Sequence, residues 1–217
     1  MENPVHEYWK IRLNDVKKSL EANNFEVFLA ETTTEALRIF FDDIVTPTGA
    51  KTFSWGGALT MRATGIHEEL LKDASKTVLN PDDPEMSPDQ RLERRRQSLL
   101  VDMYLMGCNA LVDTGQLVNL DAIGNRVGAL TFGPKYVVVF VGRNKIVSSL
   151  DGAMGRIKEY VAPANCLRLD KKTPCAKTGL CEDCASPDRI CNYWAITEKS
   201  FPKGRIKVIL INQDLGL

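Results

Sequence analysis

The run Tyr136-Val137-Val138-Val139-Phe140-Val141 constrains this chain more than any other stretch. It is β-branched and aromatic throughout, with no polar alternation, so a strand made from it must be covered on both faces. Its surroundings repeat one grammar. Upstream, Ala110-Leu111-Val112 is a short apolar strand ending in Asp113-Thr114-Gly115. Leu117 and Val118 follow, then a polar turn through Asn119 and Asp121. Gly124-Asn125-Arg126 opens a helix with Val127, Leu130 and Thr131 on one face, and Gly133-Pro134 closes it. Downstream, the run ends at Gly142-Arg143-Asn144-Lys145, and helical periodicity resumes. Strand, polar loop, helix, buried strand, polar loop, helix specifies an α/β domain whose mostly parallel sheet is flanked by helices. Ligands in such domains bind beyond the carboxyl ends of the strands. Asp113, Thr114, Asn144 and Lys145 belong to those ends, with the helix start at Asn125 and Arg126 nearby.

The remaining elements fit this frame. Trp9, Leu13, Val16 and Leu20 give residues 5–22 the spacing of an amphipathic helix. Phe25–Ala30 is a strand, and Thr32 with Glu35 has capping-box spacing for a helix running to about Val45. Thr52–Trp55 reads as a strand that enters Gly56-Gly57-Ala58-Leu59-Thr60, a turn whose backbone could approach an anion. Gly65 breaks the next helix, another covers Ile66–Ala74, and His67 among charges is expected to be exposed. Thr77–Asn80 is a strand. Ser87-Pro88-Asp89-Gln90 is a capping box with proline at the first helical position, and the spacing predicts a helix to about Gly107. Cys108 is expected to be a buried, inert thiol. Ser148 or Ser149 caps a helix to Val161, Asn165–Asp170 is read as a strand, and Arg205–Ile211 as the last one.

The 217 residues suffice for one sizeable core, and the expected organisation is a single domain over residues 1–217. Lysine plus arginine equals aspartate plus glutamate at 28 each, which argues against a dedicated nucleic-acid binder or a polybasic membrane anchor. No apolar run is long enough to span a bilayer, and the polar amino terminus has no signal-peptide core, so the expected location is the cytoplasm.

Four of the six cysteines fall in residues 171–194: Cys175, Cys181, Cys184 and Cys191, spaced C-x5-C-x2-C-x6-C. The segment carries Pro174, Gly179 and Pro187 and shows no helical or strand periodicity. A loop this long needs something to hold it. Four thiolates on one centre would do so, as an iron–sulfur cluster, expected to be 4Fe–4S, or as a tetrahedral zinc site. The missing second half of a zinc ribbon favours the cluster. Cys166 is a substitute ligand or a core thiol.

Three segments, SWGGALTMRATGI, ALVDTGQLVNLDAIGNRVGALTFGPKYVVVFVGRNKIV and INQDLGL, together resemble the LUD domain, the lactate-utilisation family. More distantly, the pattern is similar to the superfamily of ribose-phosphate isomerases, coenzyme A transferases and sugar-phosphate sensors. Several of those place a lysine after a buried strand, facing a phosphate or substrate, and Lys145 matches that position. No counterpart of the transferase glutamate or of a full isomerase acid–base set is present. The resemblance implies a role in oxidation of lactate to pyruvate alongside iron–sulfur oxidoreductase subunits. The expected ligand is a small carboxylate or phosphorylated compound. Gly56, Gly57 and Thr60 would offer donors; Thr114, Asn125, Arg126 and Asn144 would line the site. Lys145 would be the cationic anchor, and Asp113 and Asp121 the candidate acid–base groups. The competing readings are a phosphosugar isomerase-like enzyme and a non-enzymatic ligand sensor with a structural zinc.

Overall fold

Side chains along the apolar runs alternate between two cores, as a strand covered on both faces requires. In a computed structural model describing residues 4–217, the strands are β1 (Glu26–Ala30), β2 (Thr52–Trp55), β3 (Thr77–Val78), β4 (Met103–Gly107), β5 (Ala110–Val112), β6 (Leu117–Asp121), β7 (Tyr136–Gly142), β8 (Ile146–Val147), β9 (Tyr193–Thr197) and β10 (Ile206–Ile211). Six form a sheet in the order β1-β10-β7-β4-β2-β3, every pair parallel. Val137, Val139 and Val141 face a core built with Leu13, Val16 and Leu20 of helix Pro4–Ala22 and with Ala129 and Leu130 of helix Asn125–Thr131. Val138 and Phe140 face the other core, with Ala36, Phe40, Ile44, Met61, Ile66 and Leu70. The chain is thus α/β, with a parallel central sheet flanked by helices.

The second sheet, β8-β5-β6-β9, follows directly from β4 through Cys108 and Asn109. Leu111 and Leu117 join the first core, while Ala110, Val112, Val118 and Leu120 pack on Ala153, Ile157 and Val161 of the helical stretch that begins at Leu150.

Several expectations change. The capping box at Ser87 is present, but the helix ends at Gln97 with one 3-10 turn, Ser98–Leu100. Met103–Gly107 is a central strand instead, because Val101 turns extended and Asp102 pins the strand starts. The Asp102 carboxylate accepts from the amides of Lys51 and Thr52 and from Lys135 Nζ at 2.7 Å, and its carbonyl accepts from Tyr136 N. Asn119 and Asp121 lie within β6, not in a turn. Asn165–Asp170 is not a strand: helix Ala162–Arg168 occupies it, after a π-helical segment Ile157–Val161. The widened π turn precedes Pro163, which has no N–H to give to an α-helical ladder. A π segment, Ile39–Val45, likewise precedes Pro47. His67 is not exposed: its ring packs edge-on against Trp55 and burial lowers its pKa. Among the described residues no helix is long and apolar enough to cross a membrane.

Candidate functional site

Connections on the two sides of the central sheet diverge between β2 and β4. After β2 the chain crosses the second core to edge strand β3; after β4 it returns over the first core to β7. Neighbouring strands whose connections leave on opposite faces open a crevice at their carboxyl ends. Gly56 and Gly57 follow β2 there, Cys108 follows β4, and Lys145 follows β7.

Lys145 is the most unusual residue of this crevice. It is only 5% exposed, and its Nζ donates to Thr60 Oγ1 at 2.8 Å. Among the described residues no carboxylate lies within ion-pair distance of it. Burial brings its pKa down from 10.5 to about 8; the Cys108 thiol opposes this, and the Arg156 and Arg126 guanidiniums add to it. Thr60, itself buried, donates its O–H to the carbonyl of Leu215 at 3.1 Å. The main chain of Leu215-Gly216 therefore lies over the lysine. A Cβ on Gly216, which has φ +69°, would come 2.8 Å from Thr60 Oγ1 and 3.3 Å from Lys145 Nζ. The close approach requires glycine. Asn144 holds this segment, accepting from Leu215 N at 3.1 Å, and Arg143 grips Asp214.

Arg156 also reaches the crevice, with no carboxylate partner among the described residues. It donates to the carbonyls of Asn109 at 2.7 Å and Asn144 at 3.3 Å, and burial lowers its pKa. Cys108 is buried, with Sγ 2.7 Å from the carbonyl of Ala110; burial pushes its thiol up and the Lys145 charge pulls against that.

The other expected residues have more local work. Gly56 N donates to Leu105 O, extending the ladder, and a Cβ there would meet Arg126 Cγ at 2.3 Å and Tyr104 Oη at 2.6 Å. Gly56 is thus explained by packing, whereas Gly57 has open space around its Cα. Asn125 Nδ2 donates to Tyr104 Oη at 3.4 Å. The anion at the start of helix Asn125–Thr131 is Asp121: it accepts from Arg126 N at 3.0 Å, Val127 N at 3.3 Å and the Arg126 side chain. Asp113 pairs with Arg12 at 3.0 Å. Strand β5 aligns Leu111 with Ile146, so Asp113 sits three positions beyond the residue opposite Lys145, about 10 Å along the strand. Thr114 occupies the hairpin tip, where its carbonyl accepts from Asn23 Nδ2. The structure therefore gathers Lys145, Thr60, Asn144 and Arg126 and leaves Asp113 and Thr114 apart. Arg156, absent from the sequence reading, joins the site only through the packing of its helix.

The cysteine segment is not a bare loop, since Cys175–Thr178 makes a helical turn. Cys175, Cys181, Cys184 and Cys191 line one recess together with Cys166, Lys158 and Arg189; about 330 Å3 of it is free of protein atoms, part of this open to solvent. Arg189 organises the rim, with Nε on the carbonyl of Cys191 at 3.0 Å, Nη1 on the carbonyl of Cys184, and Nη2 on the Asp183 carboxylate. Lys158 clasps Asp183 from the helix side. Burial, with Cys175 close by, pushes the Cys166 thiol up to about 11. Burial also raises Cys191, which Lys158 counteracts. The donor set, thiols with no histidine, fits a thiophilic centre. Among the described residues, however, no three potential ligands are drawn into a metal-holding arrangement.

A family model described as the LUD domain matches residues 13–211. No curated protein matches the chain. Among solved structures, a DUF162 family protein from Deinococcus radiodurans is similar, at 18% identity over 81% of this chain and 96% of that one, with a TM-score of 0.32.

Proposed function

The chain belongs to the LUD-domain family, and from that premise we propose that it binds a small carboxylate or phosphorylated ligand at the β2–β4 crevice, with Lys145 as the cationic anchor. One observation carries the reading: Lys145 is buried against a hydroxyl with no counter-ion among the described residues. A buried ammonium is costly unless paired, and an arriving anion pairs it. Arg156, with no carboxylate partner among the described residues, adds positive field, Thr60 orients the ammonium, and Gly57 leaves room at the backbone. Lys145 is assigned binding rather than proton transfer, because the carboxylates of Asp113 and Asp121 are engaged elsewhere.

Within the family's lactate-to-pyruvate oxidation, the chain acts as a ligand-binding component beside iron–sulfur oxidoreductase subunits. Cys175, Cys181, Cys184 and Cys191 would hold an iron–sulfur cluster of its own, which supplies one-electron transfer when bound. The shared recess and the absence of histidine from it support this. The thiols must draw closer to ligate a common centre.

Two experiments test these parts separately. Thermal shift and calorimetric titration at pH 7 with L-lactate, pyruvate and inorganic phosphate should find at least one anion that stabilises the protein, and Lys145→Met should abolish the effect. Failure of every anion at millimolar concentration refutes the ligand reading. Anaerobic purification with iron, sulfide and zinc analysis should give iron and sulfide and a broad visible band lost in Cys184→Ser. One zinc per chain, or no metal, refutes the cluster.

A further inference from the structure

Asn119 is fully buried, and among the described residues neither its Nδ2 nor its Oδ1 has a hydrogen-bond partner. A buried amide with its whole donor and acceptor capacity unspent is rare, since each unsatisfied group keeps its desolvation cost. Leucine or valine would serve the strand better if packing were the only demand.

Its position says where the amide faces. Alternation along β6 puts Leu117, Asn119 and Asp121 on one side and Val118 and Leu120 on the other. Val118 and Leu120 belong to the core beneath the helical stretch from Leu150. Leu117 belongs to the core beside the central sheet, and Asp121 grips Arg126. Asn119 therefore looks into the seam between the second sheet and the carboxyl end of β4. Cys108 lies in the same seam, its Sγ 3.5 Å from the carbonyl of Val118. Strand register sets Val118 opposite Ala110 and Ala110 beside Lys145, so Asn119 stands two strands, about 10 Å, from the lysine backbone.

We infer that Asn119 is the specificity-determining residue of the anion site, its amide engaging a hydroxyl or carbonyl group carried next to the anionic group that Lys145 holds. This rests on the ligand reading above and narrows it: the ligand is an anion bearing a neutral polar group, not a bare anion. An amide suits this task because it donates and accepts at once, as a hydroxyl does. A site that offers buried polar atoms to a hydroxyl rejects the analogue lacking it, which leaves those atoms unpaired.

The test uses matched pairs of probes on the full chain: L-lactate against propionate, and glycerol 3-phosphate against propyl phosphate. Calorimetric titration should show the hydroxylated member of one pair binding at least about tenfold tighter. Asn119→Leu should bring the two members of that pair to equal affinity and leave the weaker one unchanged. The pair that responds identifies the anionic group as carboxylate or phosphate. Equal binding of both members by the wild type, or a preference that survives in Asn119→Leu, overturns the inference while the anion site stands. If no probe binds, the ligand reading fails, and this inference fails with it. Should Asn119→Leu not fold, Asn119→Ser takes its place, with at least a several-fold loss of preference expected and an unchanged preference decisive against the role.

Discussion

Replacing Lys145 with methionine should make the unliganded protein more stable. Methionine keeps the unbranched stem and removes the charge. Burial lowers the lysine from 10.5 to about 8, a difference equivalent to about 3 kcal/mol of burial cost. The variant also loses the hydrogen bond to Thr60, worth about 1 kcal/mol. Thr60 keeps its bond to the carbonyl of Leu215. The net expectation at pH 7 is a gain of about 2 kcal/mol, or about 4–8 °C in Tm for a chain of this size. The sign changes character with pH. Below about 8 the lysine is charged in both folded and unfolded chains, and the wild type bears the full cost. Between about 8 and 10.5 the folded protein has released a proton that the unfolded chain still holds, so wild-type stability rises relative to the variant. Urea melts of both proteins at pH 7, 9 and 10 should therefore show a gap that is largest at pH 7 and narrows upward. A variant less stable at pH 7, or a gap that does not change with pH, refutes the reasoning.

Asp121→Ala removes the carboxylate that receives Arg126 N, Val127 N and the Arg126 side chain; urea melts should show a loss of about 2 kcal/mol or more, and a loss below about 0.5 kcal/mol would contradict its capping role. Asp102→Asn tests the knot at the strand starts. Lys135 above all holds the Asp102 carboxyl well below the usual range, so the stability it contributes is present above the unfolded value of about 4 and declines as pH falls through the folded one. Melts from pH 7 to pH 2 should show the wild-type advantage narrowing below about pH 4, and a constant gap would count against it. Arg189→Gln frees the carbonyls of Cys184 and Cys191; limited proteolysis should then cut within residues 180–191 faster than in the wild type, while Tm changes by less than about 4 °C.

The strands that sequence reveals are those with one dominant signal. β7 and β10 are continuous apolar runs, and β2 ends in a glycine pair. β4 hides because Met103, Leu105 and Met106 suit a helix equally well and follow the clearest helix start in the chain. Its assignment depends on Asp102 binding residues about fifty positions away, which no local pattern contains. β6 hides because Asn119 and Asp121 are turn formers by composition, yet one is buried by the second sheet and the other by Arg126. β9 is largely exposed and carries little burial signal. Lys145 and Thr60 meet in the structure, and each stands where sequence marks a place, the loop after a buried strand and the start of a helix. No local pattern marks the placement of Arg156 or the burial of Asn119, since both come from how a helix and a second sheet fold back on the central sheet. Asp113 also ends a strand, but one of the other sheet, where Arg12 takes its carboxylate.

Lys145 is buried with no carboxylate partner among the described residues, and the proposed function has an anion take that place. The most direct measurement is the titration of the Lys145 ammonium, followed by NMR of 15Nζ-labelled lysine and assigned with Lys145→Met. A midpoint of about 8 is expected in the free protein, moving upward when the protein is saturated with the anion that stabilises it. A midpoint at the ordinary 10.5, or one that no anion moves, would contradict it.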